Sequence, residues 1–302
     1  MAHPLVTIIT PSYQRADFIG GAIDSVDAQT HANIEHIVID GGSSDGTVDL
    51  LRAHAEAGRF DYVSEPDCGM YDAINKGLRR ARGEIIGYIN TDDRYFPWSV
   101  KTAVDFLEAH PDVDLVYGDT LVNDRRHGIR YVNVMPTFSA TWLRCGGILP
   151  QPTVFFRRRV FERIGPFQKD VKYLADCEYW LRASAAGHRI AKVHEVQAVE
   201  INHSGTIRET LAQAVDEEKQ RLIDIHASTF GRHPAVATVV RRVKYVEKEL
   251  LALRLITGGA LAGENWSAFL ASHDVTVDLA AYFGEKLRRR NRAVWSIEPK
   301  HG

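Results

Sequence analysis

Over the first ninety residues, short runs of β-branched and aromatic residues alternate with longer stretches whose apolar positions recur every three or four. Residues 5–10 (LVTIIT), 34–40 (IEHIVID), 60–64 (FDYVS) and 84–90 (EIIGYIN) have the length and composition of strands. Between them, Phe18, Ile19, Ala22, Ile23 and Val26 form one apolar stripe. Val48, Leu51 and Ala55 form a second, and Ile74, Leu78 and Ala81 a third, each at helical spacing. This strand–helix order predicts a parallel sheet covered by helices. From residue 113 the alternation loosens, predicting strands at 113–122, 129–134 and 153–157, a helix at about 174–186 and a strand near 189–201. That is a mixed second half of the same domain. After His203 the strand signals fade, and residues 207–230, 235–257 and 264–290 have helical patterning. The expected organisation is one α/β domain over 1–205 and a helical extension over 206–302.

The middle extension helix repeats Val236, Val239, Val243, Val246, Leu250 and Leu253, with Arg241, Arg242, Lys244 and Lys248 on its other face. Packing of the apolar face on the helix's own domain is the expectation. A homodimer seam and a peripheral membrane contact are the alternatives. Near the end, KLRRRNR at 286–292 places five basic residues in seven, read as a solvated helix end ahead of a lipid-headgroup contact.

Composition narrows the function classes. Of 302 residues, 45% are hydrophobic and 25% charged, which suits a globular fold and disfavours disorder. The net charge of −2 provides no global positive field for a polyanion, so nucleic acid is not expected as a partner. Cys68, Cys145 and Cys177 lack C-x-x-C spacing, so neither a disulfide framework nor a thiolate zinc site is indicated. The start has no basic region ahead of its apolar run, and no uncharged apolar stretch reaches about 18 residues. The expected location is cytoplasmic, with a peripheral place at the inner membrane surface left open.

In an open parallel sheet, ligands bind beyond the carboxyl ends of the strands, near the point where strand order reverses. Strand one leads into Pro11, Ser12, Tyr13 and Gln14, strand two into Asp40, Gly41, Gly42, Ser43, Ser44 and Asp45, and strand four into Thr91, Asp92 and Asp93. Neither G-x-G-x-x-G nor G-x-x-x-x-G-K-[ST] follows a strand, which disfavours a dinucleotide dehydrogenase and a P-loop enzyme. An acidic rim repels bare diphosphate, but a divalent cation held by Asp92 and Asp93 can bridge to phosphate oxygens. The bland reading of that pair is a solvated turn. For Asp45, in SSDGT, it is a helix cap.

The ordered segments TIITPSYQR, IDGGSSDGT, SEPDCGMYDAINKG, GEIIGYINTDD and GPFQKDVKYLADCEYWLR resemble family 2 glycosyltransferases. The resemblance covers about two thirds of the chain. It implies a GT-A fold, a Rossmann-like, mostly parallel sheet with a mixed second half. It implies that Pro11 and Tyr13 pack the base, that Asp40 meets the base or ribose, and that Asp92 and Asp93 meet donor and Mn²⁺ or Mg²⁺, while the residues alone leave Asp45 between helix cap and nucleotide-sugar ligand. His203 in INHSGT resembles a histidine that touches metal or diphosphate. Gly41 departs from the family's second acid in this loop, so UDP, GDP and dTDP donors all stay open. Asp176 matches the general base of inverting members, with Glu178 ranked second. Gln151, Asp119 and Trp180 are the acceptor-side candidates, and for Trp180 a core position is the stronger reading.

The function this implies is metal-dependent, inverting transfer of a hexosyl or related glycosyl group. The sugar moves from a nucleoside-diphosphate donor to a hydroxyl acceptor, a glycan or lipid-linked glycan of polysaccharide biosynthesis. The rivals are a sugar-nucleotide-forming nucleotidyltransferase, which needs a Gly-rich basic loop absent after strand one, and a catalytically inactive nucleotide-binding scaffold.

Overall fold

A computed structural model describes residues 3–125, 129–206, 210–226 and 234–256. The first half follows the hydrophobic pattern closely. Strands β1 (Val6–Ser12), β2 (Ile34–Asp40), β3 (Asp61–Ser64) and β4 (Ile85–Tyr88) alternate with helices α1 (Ala16–Asp27), α2 (Thr47–Glu56) and α3 (Met70–Arg80). Pairings β2–β3, β1–β2 and β1–β4 are all parallel. All seven positions of β1 are buried, as expected of a central strand with helices on both faces. Gly77 lets α3 lie close on the sheet, since a Cβ there would come 2.5 Å from Ile9.

The second half contains β5 (Arg94–Tyr95), α4 (Ser99–Ala109), β6 (Leu115–Asp124), β7 (Ile129–Asn133), α5 (Ala140–Arg144) and β8 (Phe155–Arg157). It continues with α6 (Arg158–Ile164), α7 (Ala175–Ala185) and β9 (Ile190–Asn202). All the strands join one sheet in the order β3-β2-β1-β4-β8-β6-β9-β5, with β7 paired to β6. Here β8 runs antiparallel to β4 and β6, while β9 runs parallel to β6. This is the mixed second half that the pattern predicted, on a mostly parallel frame. Two-residue β5, five-residue α5 and seven-residue α6 are too short to leave a periodic signal and were not anticipated.

The largest core lies between the sheet and α3 and α7, and includes Ile74, Leu78, Phe156, Phe167, Tyr179 and Trp180. Phe167 stacks on Tyr179 at 4.1 Å between ring centres. Burying each such side chain stabilises the fold by about 1.5–3 kcal/mol.

Helix α8 (Ala212–His226) packs Leu222 into this same core. Helix α9 (Pro234–Ile256) contacts the domain differently from the expectation. Its domain-facing side carries Ala237, Val240, Lys244 and Lys248. Lys244 donates to the Thr137 carbonyl and Lys248 to Asn133 Oδ1 at 2.6 Å. Val239, Val243, Val246 and Leu250, expected to pack inward, are each more than half exposed. The long lysine stems supply apolar cover while their ammonium groups reach polar partners at the sheet edge, so the aliphatic stripe turns outward. Among the described residues, no helix is long and apolar enough to cross a membrane. Residues 264–290, read as a third helix, and the basic run at 286–292 lie outside the described residues.

Candidate active site

Strands β1, β2 and β3 run outward from the centre of the sheet, and β4 returns on the other side of β1. The order therefore reverses between β1 and β4, and the carboxyl ends of these strands are where a ligand crevice is expected.

On the β1–β2–β3 side, most of the acids are already engaged in building loops. Asp40 is fully buried. Its Oδ2 accepts the N–H groups of Gly42 and Ser43 and the Ser64 hydroxyl, and its Oδ1 accepts the Ser43 hydroxyl at 2.5 Å. It holds the loop after β2, so both oxygens that the resemblance turned toward base or ribose are taken by the protein's own donors. Asp45 Oδ1 accepts the Thr47 N–H and hydroxyl, and its Oδ2 accepts the N–H of Ala16. It thereby caps the first turns of both α2 and α1, so the capping reading replaces the ligand reading. Pro11 is buried within β1, paired in register with Ile39, and is not available to a base.

Tyr13, two residues on, is 59% exposed at the rim. Next to it, Gln14 adopts a left-handed φ of 54°, rare outside glycine. Its N–H donates to Ser43 Oγ at 2.8 Å, and its side-chain amide pairs with Ser44. The sequence places Gln14 after strand one but gives it no role, because that role appears only where the β1 and β2 loops meet.

At the end of β4, Asp92 and His203 come together, with His203 Nε2 3.2 Å from Asp92 Oδ2. The imidazole stacks on Phe18, and its Nδ1 accepts the Gly205 N–H at 3.2 Å. An accepting Nδ1 leaves the proton of the neutral ring on Nε2, donated to Asp92. Asp93 points inward, and its Oδ1 accepts the Ile201 N–H from β9. Burial, with the charges of Asp92 and Glu200, holds its carboxyl well above the usual carboxylate range. Arg94 ties this turn to α1 by donating to the carbonyls of Thr91, Asp93 and Phe18. It is a positioning residue that no motif announced.

Among the described residues, no three His, Cys, Asp or Glu side chains form a ready-made metal cage. Asp92 Oδ2 and His203 Nε2 would suit a divalent cation once it displaces the shared Nε2 proton, the ring then carrying its proton on Nδ1 in place of the Gly205 bond.

Asp176 lies in the first turn of α7, 9% exposed, and the Tyr71 hydroxyl of α3 donates to its Oδ1 at 3.2 Å. Burial first, and then the Asp176 charge, raise the phenol of Tyr88 at the end of β4. The segment entering α7 is held from two sides. Asn75 exchanges two hydrogen bonds with the Phe167 backbone, and Glu218 of α8 accepts the N–H groups of Lys172, Tyr173 and Leu174.

Glu178, the second-ranked base, is buried and paired through both oxygens with Arg182, so it is not free for proton transfer. Trp180 is fully buried in the core and is not on an acceptor surface. Asp119 is also removed from the acceptor side. It is buried against Lys192 at 2.9 Å and accepts the Met135 N–H. Gln151 does reach the rim, where it receives the Asn90 amide and donates to the Tyr88 carbonyl, bracing the end of β4.

Known proteins resemble this chain in sequence and fold. Residues 7–165 match glycosyl transferase family 2. A PGL/p-HBAD biosynthesis glycosyltransferase of Mycobacterium tuberculosis is 27% identical over 85% of this chain and 97% of its own length. Among solved structures, S. aureus TarS superimposes with a TM-score of 0.56 at 18% identity, over 73% of this chain and 39% of the TarS chain. The mannosyltransferase PcManGT of Pyrobaculum calidifontis, in complex with GDP-Man and Mn²⁺, superimposes with a TM-score of 0.56 at 22% identity, over 89% of this chain and 84% of its own. These structural likenesses carry the fold.

Proposed function

The chain belongs to glycosyl transferase family 2, and from that premise we propose that it moves a sugar, with inversion, from a nucleoside-diphosphate donor to a hydroxyl acceptor. The observation that carries the proposal is the Asp92–His203 pair at the reversal of strand order. Complexes of TarS with UDP-GlcNAc and of PcManGT with GDP-Man and Mn²⁺ support a nucleotide-sugar donor on this fold.

The donor diphosphate is assigned to the end of β4, where Asp92 and His203 would hold a divalent cation and Arg94 fixes the turn that carries Asp92. When bound, that cation neutralises charge on the departing diphosphate as a Lewis acid. Asp176 accepts the proton of the attacking hydroxyl as its oxygen bonds the anomeric carbon and the bond to the diphosphate breaks. A positioned general base contributes about 10² to 10⁴-fold. Tyr71, Asn75 and Glu218 keep Asp176 in place, so donor and acceptor meet in one oriented complex. The acceptor is a glycan or lipid-linked glycan, and the outward aliphatic stripe of α9 is the face available to a membrane surface or a second copy.

Calorimetry with UDP, GDP and dTDP tests this reading, each in the presence of Mn²⁺ and then of chelator. One diphosphate should bind only with metal, and Asp92→Ala should abolish that binding. Metal-independent binding that survives Asp92→Ala would remove the pair from this role, and pyrophosphate release from a nucleoside triphosphate and sugar phosphate would favour the nucleotidyltransferase.

A further inference from the structure

Gly41 closes the buried end of β2, and its N–H donates to the Ser12 carbonyl of β1. A Cβ placed on it would come 2.8 Å from Asp67 Oδ2 and 3.2 Å from Tyr13 Cδ2. The carboxylate of Asp67, arriving from beyond β3, therefore fills the space that a side chain at position 41 would occupy. It lies beside the exposed ring of Tyr13. Asp40 and Asp45 point into their own loops, so Asp67 is the carboxylate that this part of the rim presents.

Its two oxygens differ. Oδ1 accepts the Gly69 N–H at 2.8 Å, which fixes the side chain in a local turn ahead of α3. Oδ2 is the oxygen over Gly41, and the same space is bordered by the Tyr13 ring. An ionised carboxylate only accepts hydrogen bonds, so it favours a base whose ring nitrogen bears hydrogen and repels one whose ring nitrogen carries a lone pair. Among the described residues Oδ2 accepts no hydrogen bond, and one such oxygen matches the single N3–H of an imide. Guanine presents two parallel donors, N1–H and the amino group, and is best met by both carboxylate oxygens. Cytosine and adenine place a lone pair at the corresponding ring position.

We propose that Asp67, set over Gly41 beside Tyr13, selects the donor base and that it selects a pyrimidine imide, that of a uridine or thymidine diphosphate. The proposal rests on the nucleotide-sugar reading above and supplies the base specificity that the missing acid at position 41 left open. Tyr13 offers its ring face to the pyrimidine, and Asp67 Oδ2 accepts N3–H.

The test measures affinities of UDP, dTDP, CDP, GDP and ADP for the full chain with Mn²⁺ at fixed salt, in wild type and in Asp67→Asn. The amide keeps the acceptor for Gly69 N–H and adds a donor suited to a ring-nitrogen lone pair. Wild type should bind UDP or dTDP at least about tenfold more tightly than CDP, GDP or ADP. Which of UDP and dTDP binds more tightly separates the two sources of the imide. In Asp67→Asn the UDP-to-CDP affinity ratio should fall by about tenfold or more, while the melting temperature stays within a few degrees. A wild-type preference for GDP, CDP or ADP overturns the proposal without touching sugar transfer, as does an unchanged UDP-to-CDP ratio in the variant. Failure of every nucleoside diphosphate to bind wild type overturns this proposal and the donor reading together.

Discussion

The carboxylates on the two sides of the strand-order reversal do different work, and the difference lies in where their partners come from. On the β1–β2 side, Asp40 and Asp45 accept largely from their own or the adjoining loop, including Ser43 and Thr47, two or three residues away. On the β4 side, Asp92 meets a side chain 111 residues away and Asp176 one 105 residues away. Short-range partners satisfy a carboxylate and fix a loop. Long-range side-chain partners assemble a constellation only when the whole chain has folded, and that constellation can be read as a reaction site.

The sharpest way to break this contrast is at Asp176. Asp176→Asn keeps the shape and the Tyr71 contact but removes the proton acceptor. We expect kcat for sugar transfer to fall by about 10² to 10⁴-fold, with donor affinity within about twofold of wild type. Stopped or steady-state transfer assays alongside donor calorimetry read both quantities. Near-normal turnover would take Asp176 out of the role of base and reduce the long-range acids to structural ones.

A smaller effect is expected one step back, at the partner. Tyr71→Phe removes a hydrogen bond to a carboxylate, a contact typically contributing about 1.5–3 kcal/mol. The loss should appear as a fall of about tenfold or more in kcat with KM for the donor unchanged, because Tyr71 touches the proposed base and not the nucleotide rim. A rise in donor KM with kcat intact would mean that α3 serves the nucleotide side instead.

The same division by range explains what the sequence made legible. The alternating strands and helices of residues 5–90, the mixed order beyond 113 and α7 around Asp176 all leave periodic or local signals, and these elements were anticipated. The capping of α2 by SSDGT was also readable, because its Thr47 donors lie within the motif, whereas the Ala16 donor of α1 lies 29 residues away. Tyr71, Arg94 and Glu218 were not readable, since each acts on a backbone or side chain far away in sequence. Trp180 and Asp119 sat in suggestive motifs, yet both are buried, one among aromatic rings and the other against Lys192. The orientation of α9 failed for a different physical reason. An aliphatic stripe predicts burial only when nothing else can cover the domain, and here Lys244 and Lys248 do so with their stems.

The smallest expected effect concerns the short-range side. Asp45→Ala deletes the acceptor for the Thr47 and Ala16 N–H groups, leaving the first turns of α2 and α1 to water. Loss of such a cap costs about 1 kcal/mol, and Asp45 is exposed, so solvent replaces part of what is lost. Urea denaturation should show that decrease with an unchanged m-value, since both folded and unfolded surfaces stay the same. Nucleotide affinity in the same variant is the decisive quantity. The division by range predicts that it stays within about twofold of wild type, because Asp45 Oδ1 and Oδ2 are already occupied by the protein's own donors. A tenfold loss of affinity with stability intact would mean that this carboxylate exchanges its capping partners for a ligand, and a local hydrogen-bond set would then no longer mark an acid as structural.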